Sequence, residues 1–406
     1  MPMLFRLALR NIFRNRRRSL ITFLVLVFGA TALILFGGYK EISFEGIRES
    51  TIRDSVGHLQ IYRHGFLDSE SQRPLQYGLE NVEKIRALIE SDPRVEMTSA
   101  QISLMGLVSN GEKSEAFMAT AVEPRKDKNM ASQVIKQGTY LSDKEPDGVI
   151  LGEVLAKSMN VKPGDSLTLM TTSVGQSLNA MDVRILGIFT TGVKEYDERA
   201  IKIPLVTAQR LMHTNKVERL LVLLRRTEDT AAVKRDLSAK LAAGHWNIEM
   251  RDWEQLATFY HQVVALYNAI FGFLGWVVFA IVILSVGNTV MMSILERTRE
   301  IGTMLAVGTC RSRVWIMFVM EGMLVGAIGG ALGLAFGSGL TTLINHVNIQ
   351  MPPPPGYTEG YLLRIALSPS LLMNAFEVSL ITATLAAIIP SIRGSRLNIV
   401  RALAHN

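Results

Sequence analysis

The chain has 406 residues, 48% of them apolar and 19% charged, with a formal net charge of +7 and a mean hydropathy of +0.23. That hydropathy is too high for an ordinary water-soluble protein of this length, and a single cysteine, Cys310, excludes an internal disulfide. The basic excess lacks the aromatic-interleaved patch that binds nucleic acid, so no nucleic-acid partner is expected.

Residues 1–18 form a basic amino-terminal segment with six arginines and no acid. Ser19 to Tyr39 follow without a formal charge. A bilayer core about 30 Å thick needs roughly 20 apolar residues in a helix, so residues 19–39 predict a first transmembrane helix. Ala30-Thr31-Ala32 resembles a signal-peptide cleavage site, but the apolar run is too long for that role and continues past it; a retained helix is expected.

Residues 40–262 hold 29 Lys+Arg against 31 Asp+Glu, a balanced segment long enough to bury its own core. Strand-like composition marks HLQIYRHG, VEMTSAQISLMGLVSNGEKSEAFMATAVEP, DSLTLMTT, MDVRILGIFTTG and RLLVLLRR, and Asn110-Gly111 between apolar stretches predicts a hairpin. Val82, Ile85, Leu88 and Ile89 repeat at helical spacing. EVLAKSMNVKPGD predicts a short helix ended by Pro-Gly-Asp, and DTAAVKRDLSAKLAAG an amphipathic helix with Gly244 after its last turn. An α+β domain of two lobes is expected. The chain contains no HExxH, CxxC, GxSxG or phosphate-loop motif, so neither catalytic residues nor a metal site is expected. His58 and His64 lack a carboxylate at ligand spacing and are expected at the surface.

Leu256, Phe259, Tyr260, Val263, Val264 and Tyr267 follow the one-face helical rule and lead into a charge-free run from Val263 to Leu295. Residues 263–295 predict a second transmembrane helix; its length of about 50 Å exceeds the bilayer core, so a continuous helix would project as a stalk. Residues 296–313 carry four arginines and two glutamates. Residues 314–343, interrupted only by Glu321, and 371–390, interrupted only by Glu377, predict the third and fourth transmembrane helices. Between them, residues 344–370 form a loop with the proline-rich stretch Met351–Gly356, either a stiff border to a lateral opening or a rigid connector. The tail 391–406 has three arginines and no acid. Basic residues mark the cytoplasmic side, so both termini and 296–313 are expected inside and 40–262 outside.

Within the third run, Gly322, Gly326 and Gly330 form one four-residue series and Gly329, Gly333 and Gly337 another, a spacing that lets helices approach closely in lipid. An ionisable group such as Glu321 is costly in a membrane unless paired or wet. It reads either as a proton or substrate relay or as a carboxylate neutralised by Arg313, Arg393 or a neighbouring helix's arginine. Glu377, six residues into the fourth run, is expected to face a wet crevice.

The segment ERTREIGTMLAVG, Glu296–Gly308, resembles the signature of the FtsX-type permeases of ABC transporters, the group that includes the macrolide exporter MacB and the lipoprotein-releasing LolC and LolE subunits. LALRNIFRNRRRSLITFL (Leu7–Leu24) is similar to the family's amino-terminal entry, and EGMLVGAIGGALGLAFG (Glu321–Gly337) to its glycine-rich third helix. IPSIRGSRLNIVRAL (Ile389–Leu403) is similar to its terminal segment, with Gly394 and Ile399 in place of the usual Ala and Pro.

The resemblance implies an α-helical membrane protein with four transmembrane helices plus an α+β periplasmic domain, of the MacB type, inserted between helices 1 and 2. It implies the bacterial inner membrane, a homo- or heterodimer of permeases, and a separate cytoplasmic ATPase subunit that binds ATP and Mg, with no cofactor on this chain. It further implies that Glu296, Arg297, Arg299, Glu300, Ile301, Gly302, Met304, Leu305 and Gly308 belong to a coupling helix that docks on the ATPase. The residue pattern agrees: Ile301, Met304 and Leu305 share one helical face, while Arg297, Glu300 and Arg311 can meet a polar partner. The expected function is mechanotransmission to the external domain for lipoprotein release, with a periplasmic lipoprotein carrier as a further partner. An FtsX-like regulator of a periplasmic hydrolase and a MacB-like exporter are the alternatives.

Overall fold

Four helices of the computed structural model are long and apolar enough to cross a membrane, and each is longer than the apolar run that predicts it. Residues 16–69, 74–130, 133–353 and 360–396 are described. The expectations for residues 1–15, for the proline stretch beyond Pro353 and for the tail from 397 lie outside the described residues.

The first helix, α1 (Arg16–Thr51), continues twelve residues past Tyr39 because KEISFEGIREST contains no proline to stop it. Then come β1 (Leu59–Arg63), α2 (Val82–Glu90), β2 (Val95–Ser109), β3 (Ser114–Val122), α3 (Pro124–Met130), β4 (Val134–Gly138) and β5 (Gly148–Gly152). They are followed by α4 (Glu153–Met159), β6 (Ser166–Thr172), β7 (Leu178–Thr190), β8 (Ala200–Pro204), α5 (Leu205–Met212), β9 (Arg219–Leu224), α6 (Thr230–Ala243) and β10 (Ile248–Asp252). The chain continues with α7 (Thr258–Glu296), α8 (Thr298–Ala306), α9 (Arg311–Val347) and α10 (Pro369–Ser395). The chain divides into two units, one comprising Met1–Glu45, Val263–Gln350 and Leu362–Asn406, the other Gly46–Gln262 with Met351–Tyr361.

In the helical unit the two glycine series of α9 serve two different neighbours. A Cβ on Gly322 or Gly326 would lie 2.4 or 2.8 Å from the Cβ of Ala387 or Ala383 on α10, and one on Gly330 would lie 3.2 Å from the Phe376 ring. A Cβ on Gly329, Gly333 or Gly337 would instead lie 2.7, 2.5 or 2.8 Å from Leu26, Ala30 or Ile34 on α1. The third helix is thus clasped on two faces by backbone approach, the contact that drives helix association in lipid. α1 and α7 are joined by a 2.6 Å hydrogen bond between the Thr22 and Thr289 hydroxyls. Gly394 meets Ile294 of α7, from which an added Cβ would be 2.9 Å away. α10 begins with Ser368 accepting from the Leu371 amide at 3.3 Å and Pro369 in its first turn, which satisfies one orphan donor and removes another.

The α/β unit is built on ten strands in the order β10-β1-β9-β2-β3-β8-β5-β7-β4, with β6 bridging β2 and β7. The fifteen-residue β2 pairs with β9 over Val95–Gln101 and with β3 over Ile102–Ser109. The β2–β3 hairpin turns at Asn110-Gly111 as expected, with Gly111 at φ 89°. Because β2 runs through both halves of the sheet, one core joins them, from Leu59 and Ile61 to Leu169 and Ile185.

Other boundaries also shift. α4 ends at Asn160, which adopts φ 54°, rather than at Pro163-Gly164. The expected face through Leu256 and Phe259 is broken, because Asp252 caps a separate turn Trp253–Leu256 and α7 starts at Thr258. Phe259 is consequently exposed, while Tyr260 packs edge-on against Trp253. His58 is not at the surface but fully buried, since its Nδ1 accepts the Leu224 amide proton at 3.1 Å; His64 is exposed as expected.

Candidate coupling site

The segment between α7 and α9 is an elbow made by local rules. Thr298 donates its hydroxyl back to the Ile294 and Leu295 carbonyls at 3.1 and 2.9 Å, satisfying acceptors that the end of α7 leaves open. The nine-residue α8 follows. It closes with the Gly308 amide donating to Leu305 and the Thr309 amide to Met304 at 3.1 and 3.0 Å, with Gly308 at φ 94°. That pair of bonds is the Schellman arrangement, which needs a left-handed residue and explains glycine at this position. Cys310, the sole cysteine, is exposed just before α9.

Amphipathicity decides which way α8 faces. Ile301 and Leu305 are buried among Val290, Ile294, Val314, Met317 and Phe318 of α7 and α9, Gly302 is buried beside them, and Met304 is half-buried. These residues anchor α8 to its own bundle. The opposite face shows Arg299, Glu300, Thr303 and Ala306, and the flanking Glu296, Arg311 and Arg313 are exposed as well. Leu295 is also exposed, and Val307 at the end of α8 is 83% exposed. Neither spacing nor charge marks Val307; its position at the tip of a closed turn makes it prominent.

Arg297 corrects the expectation that it meets a polar partner surface. It precedes α8 in a non-helical conformation, φ −110°, and its side chain, only 12% exposed, folds inward. There its Nε donates to Glu300 Oε2 at 2.9 Å, its guanidinium lies 5.6 Å from the Phe318 ring centre, and its Nη1 approaches Glu321 Oε2 at 3.7 Å. Ser293 donates to the other Glu321 oxygen at 3.4 Å. Of the arginines offered by the sequence to neutralise Glu321, Arg313 and Arg393 are exposed, and Arg297 at the end of the neighbouring α7 is the partner. Glu377 lies on the exposed face of α10. The geometry is that of a clamp: a carboxylate on α9 fixes the entry to α8 from inside, leaving the outer face of α8 for contact. No group of three or more His, Cys, Asp or Glu residues placed to hold a metal occurs among the described residues.

Two family models match the chain, the MacB-like periplasmic core domain over residues 19–240 and the FtsX-like permease C-terminal domain over residues 272–399. The chain belongs to the FtsX-like permease family with a MacB-like core domain. The elbow lies wholly inside the FtsX-like match. This permease is 22% identical over 429 residues to the lipoprotein-releasing system transmembrane protein LolC of Xylella fastidiosa, covering 100% of this chain and 99% of that protein. It is 23% identical over 418 residues to the macrolide export ATP-binding/permease protein MacB of Wolinella succinogenes, covering 98% of this chain and 60% of that protein. Among solved structures, the periplasmic region of MacB from Actinobacillus actinomycetemcomitans is similar over 53% of this chain and 96% of that one, at 13% identity and a TM-score of 0.39. This permease is accordingly a multi-pass membrane protein of the LolC, MacB and FtsX type, with a mixed α/β domain of the MacB kind in its amino-terminal part.

Proposed function

We propose that this permease couples ATP hydrolysis on a separate cytoplasmic ATPase to movement of its periplasmic domain, and that the movement releases lipoproteins from the inner membrane. The observation that carries the coupling role is the build of α8: its apolar residues are held inside the bundle and its charged face, with Val307, is turned outward. A helix held this way transmits a push from a docked motor to α7 and α9. α7 is one helix of 39 residues, about 58 Å long, and supplies the rod for such a push. The concentration of arginine in 1–18, 296–313 and 391–406 supports a cytoplasmic elbow and a periplasmic α/β domain. The dimer and the partner ATPase follow from the family, and the lipoprotein cargo from the end-to-end similarity to LolC. Similarity to MacB over 98% of the chain supports a second reading, export of a substrate already in the periplasm.

Two experiments test this. Cys310 is a native single reporter: a membrane-impermeant maleimide added to spheroplasts is expected to leave it unlabelled until the membrane is opened, and labelling of intact spheroplasts would reverse the orientation. In proteoliposomes holding permease, ATPase and a tagged acylated lipoprotein, ATP is expected to move the lipoprotein into a soluble fraction containing a carrier. ATP hydrolysis without such release would remove lipoprotein as the cargo.

A further inference from the structure

The α/β unit contains a cavity of about 520 Å³ between the β2–β3 face, the end of β6 and its following turn, and the end of α5. Its size falls within the roughly 300–1,000 Å³ of small-molecule sites. One wall is the cross-strand pair Met105–Met118, whose side chains are 68% and 46% exposed although both sit mid-strand. Phe66, Leu75, Leu104, Val174 and Met212 add to the apolar lining.

Several polar groups at the cavity are committed to the protein. Thr171 donates to the Met105 carbonyl at 2.6 Å, and the Ser173 hydroxyl pairs with Ser177 at 2.8 Å. Glu218, the one carboxylate among the described lining residues, accepts from the Ser103 amide and is paired with Arg219, which also donates to the Ser103 hydroxyl at 3.1 Å. Among the described residues no lysine or arginine lines the cavity. A ligand carrying a carboxylate or phosphate would lose its hydration without gaining a countercharge, and a cation would compete with Arg219 for Glu218.

We propose that this cavity is a binding site for an uncharged apolar molecule, seated on Met105 and Met118. Thioether side chains are unbranched and polarizable, so they adapt to ligands of varied shape, and covering them removes exposed apolar surface from water. The site does not depend on α8 or on the lipoprotein reading.

The test uses the full-length permease in lipid nanodiscs. Methionine oxidation by hydrogen peroxide is followed at each residue by peptide mass spectrometry, since sulfoxide formation reports access to sulfur. Saturating n-decanol is expected to slow oxidation of Met105 and Met118 at least fivefold and to leave the half-buried Met250 within twofold; sodium decanoate is expected to need at least tenfold higher concentration. Met118→Trp, which fills the cavity, is expected to abolish the effect of decanol on Met105. Met118→Gln, which keeps the volume and adds polarity, is expected to weaken it and covers the case in which the tryptophan variant fails to fold. Unchanged oxidation of Met105 and Met118 with decanol, equal protection of Met250, or undiminished protection in the folded variants would overturn the proposal.

Discussion

The Arg297 guanidinium stands 3.7 Å from the Glu321 carboxylate, with both side chains at most 12% exposed, and so ties the start of α8 to the interior of α9. Removing one member of a buried pair leaves an uncompensated charge in an apolar site and costs about 3–5 kcal/mol. Arg297→Gln is therefore expected to lower the unfolding midpoint in detergent by that equivalent. Arg297→Gln with Glu321→Gln is expected to recover at least half of the loss. If Glu321 served as a proton relay instead, the double variant would regain stability but not transport, so measuring both separates the roles.

The glycine contacts of α9 predict position-specific overpacking. Gly322→Ala would press on Ala387 and Gly333→Ala on Ala30, in each case against a Cβ fixed to a helix backbone that has no flexible end to move. Each is expected to destabilise the bundle by about 1–3 kcal/mol. Gly339→Ala, with no heavy atom within 4 Å of the added Cβ, is expected to be neutral or slightly stabilising. Equal melting temperatures for all three variants would contradict the clasped arrangement.

The outward face of α8 is expected to carry the coupling. Arg299→Glu with Val307→Asp alters only exposed side chains, so insertion and melting temperature should stay within the roughly ±0.5 kcal/mol of surface substitutions. Stimulation of the ATPase by the permease, measured with purified components, is expected to fall at least tenfold. Full stimulation in this variant would take α8 out of the docking role.

His58 makes the α/β unit acid-sensitive. Its Nε2 hydrogen-bonds the Thr227 hydroxyl at 3.0 Å, and Thr227 in turn donates to Glu49 at 2.8 Å. Burial holds the imidazole down to about 4, against the opposing attraction of Glu49. An unfolded chain takes up that proton near 6.5, so between these values the unfolded state binds more protons and stability falls as pH falls. The contribution is fully present above about pH 6.5 and lost progressively down to about 4, an upper limit of about 3 kcal/mol. His58→Gln, which can still accept from Leu224, is expected to flatten this part of the stability–pH curve; an unchanged slope would assign the acid response to other groups.

Features that depend on period or on charge were readable before any coordinates. The glycine series, the Asn110-Gly111 turn, the helix through Ile85 and Ile89 and the four apolar spans all reduce to spacing along one chain. β5 is not legible, because every residue in it is buried and a short fully apolar run shows no alternation; β8 is not legible because its five residues include Lys202, which is buried only through its 2.8 Å pair with the distant Asp127. α5 is not legible either, because LVTAQRLM is too short for its period to stand out.

At the elbow the amino-acid order was enough to mark an amphipathic segment, a glycine stop and an arginine-rich side of the membrane, since each follows from local conformation or from charge counted along the chain. Whether Arg297 points out or in was settled by folding, because its partners Phe318 and Glu321 are more than twenty residues away and the attraction exists only once α9 packs against α7. The same holds for the cavity beside Met105 and Met118: two exposed methionines on paired strands acquire a common wall only when β6 and α5 close around them.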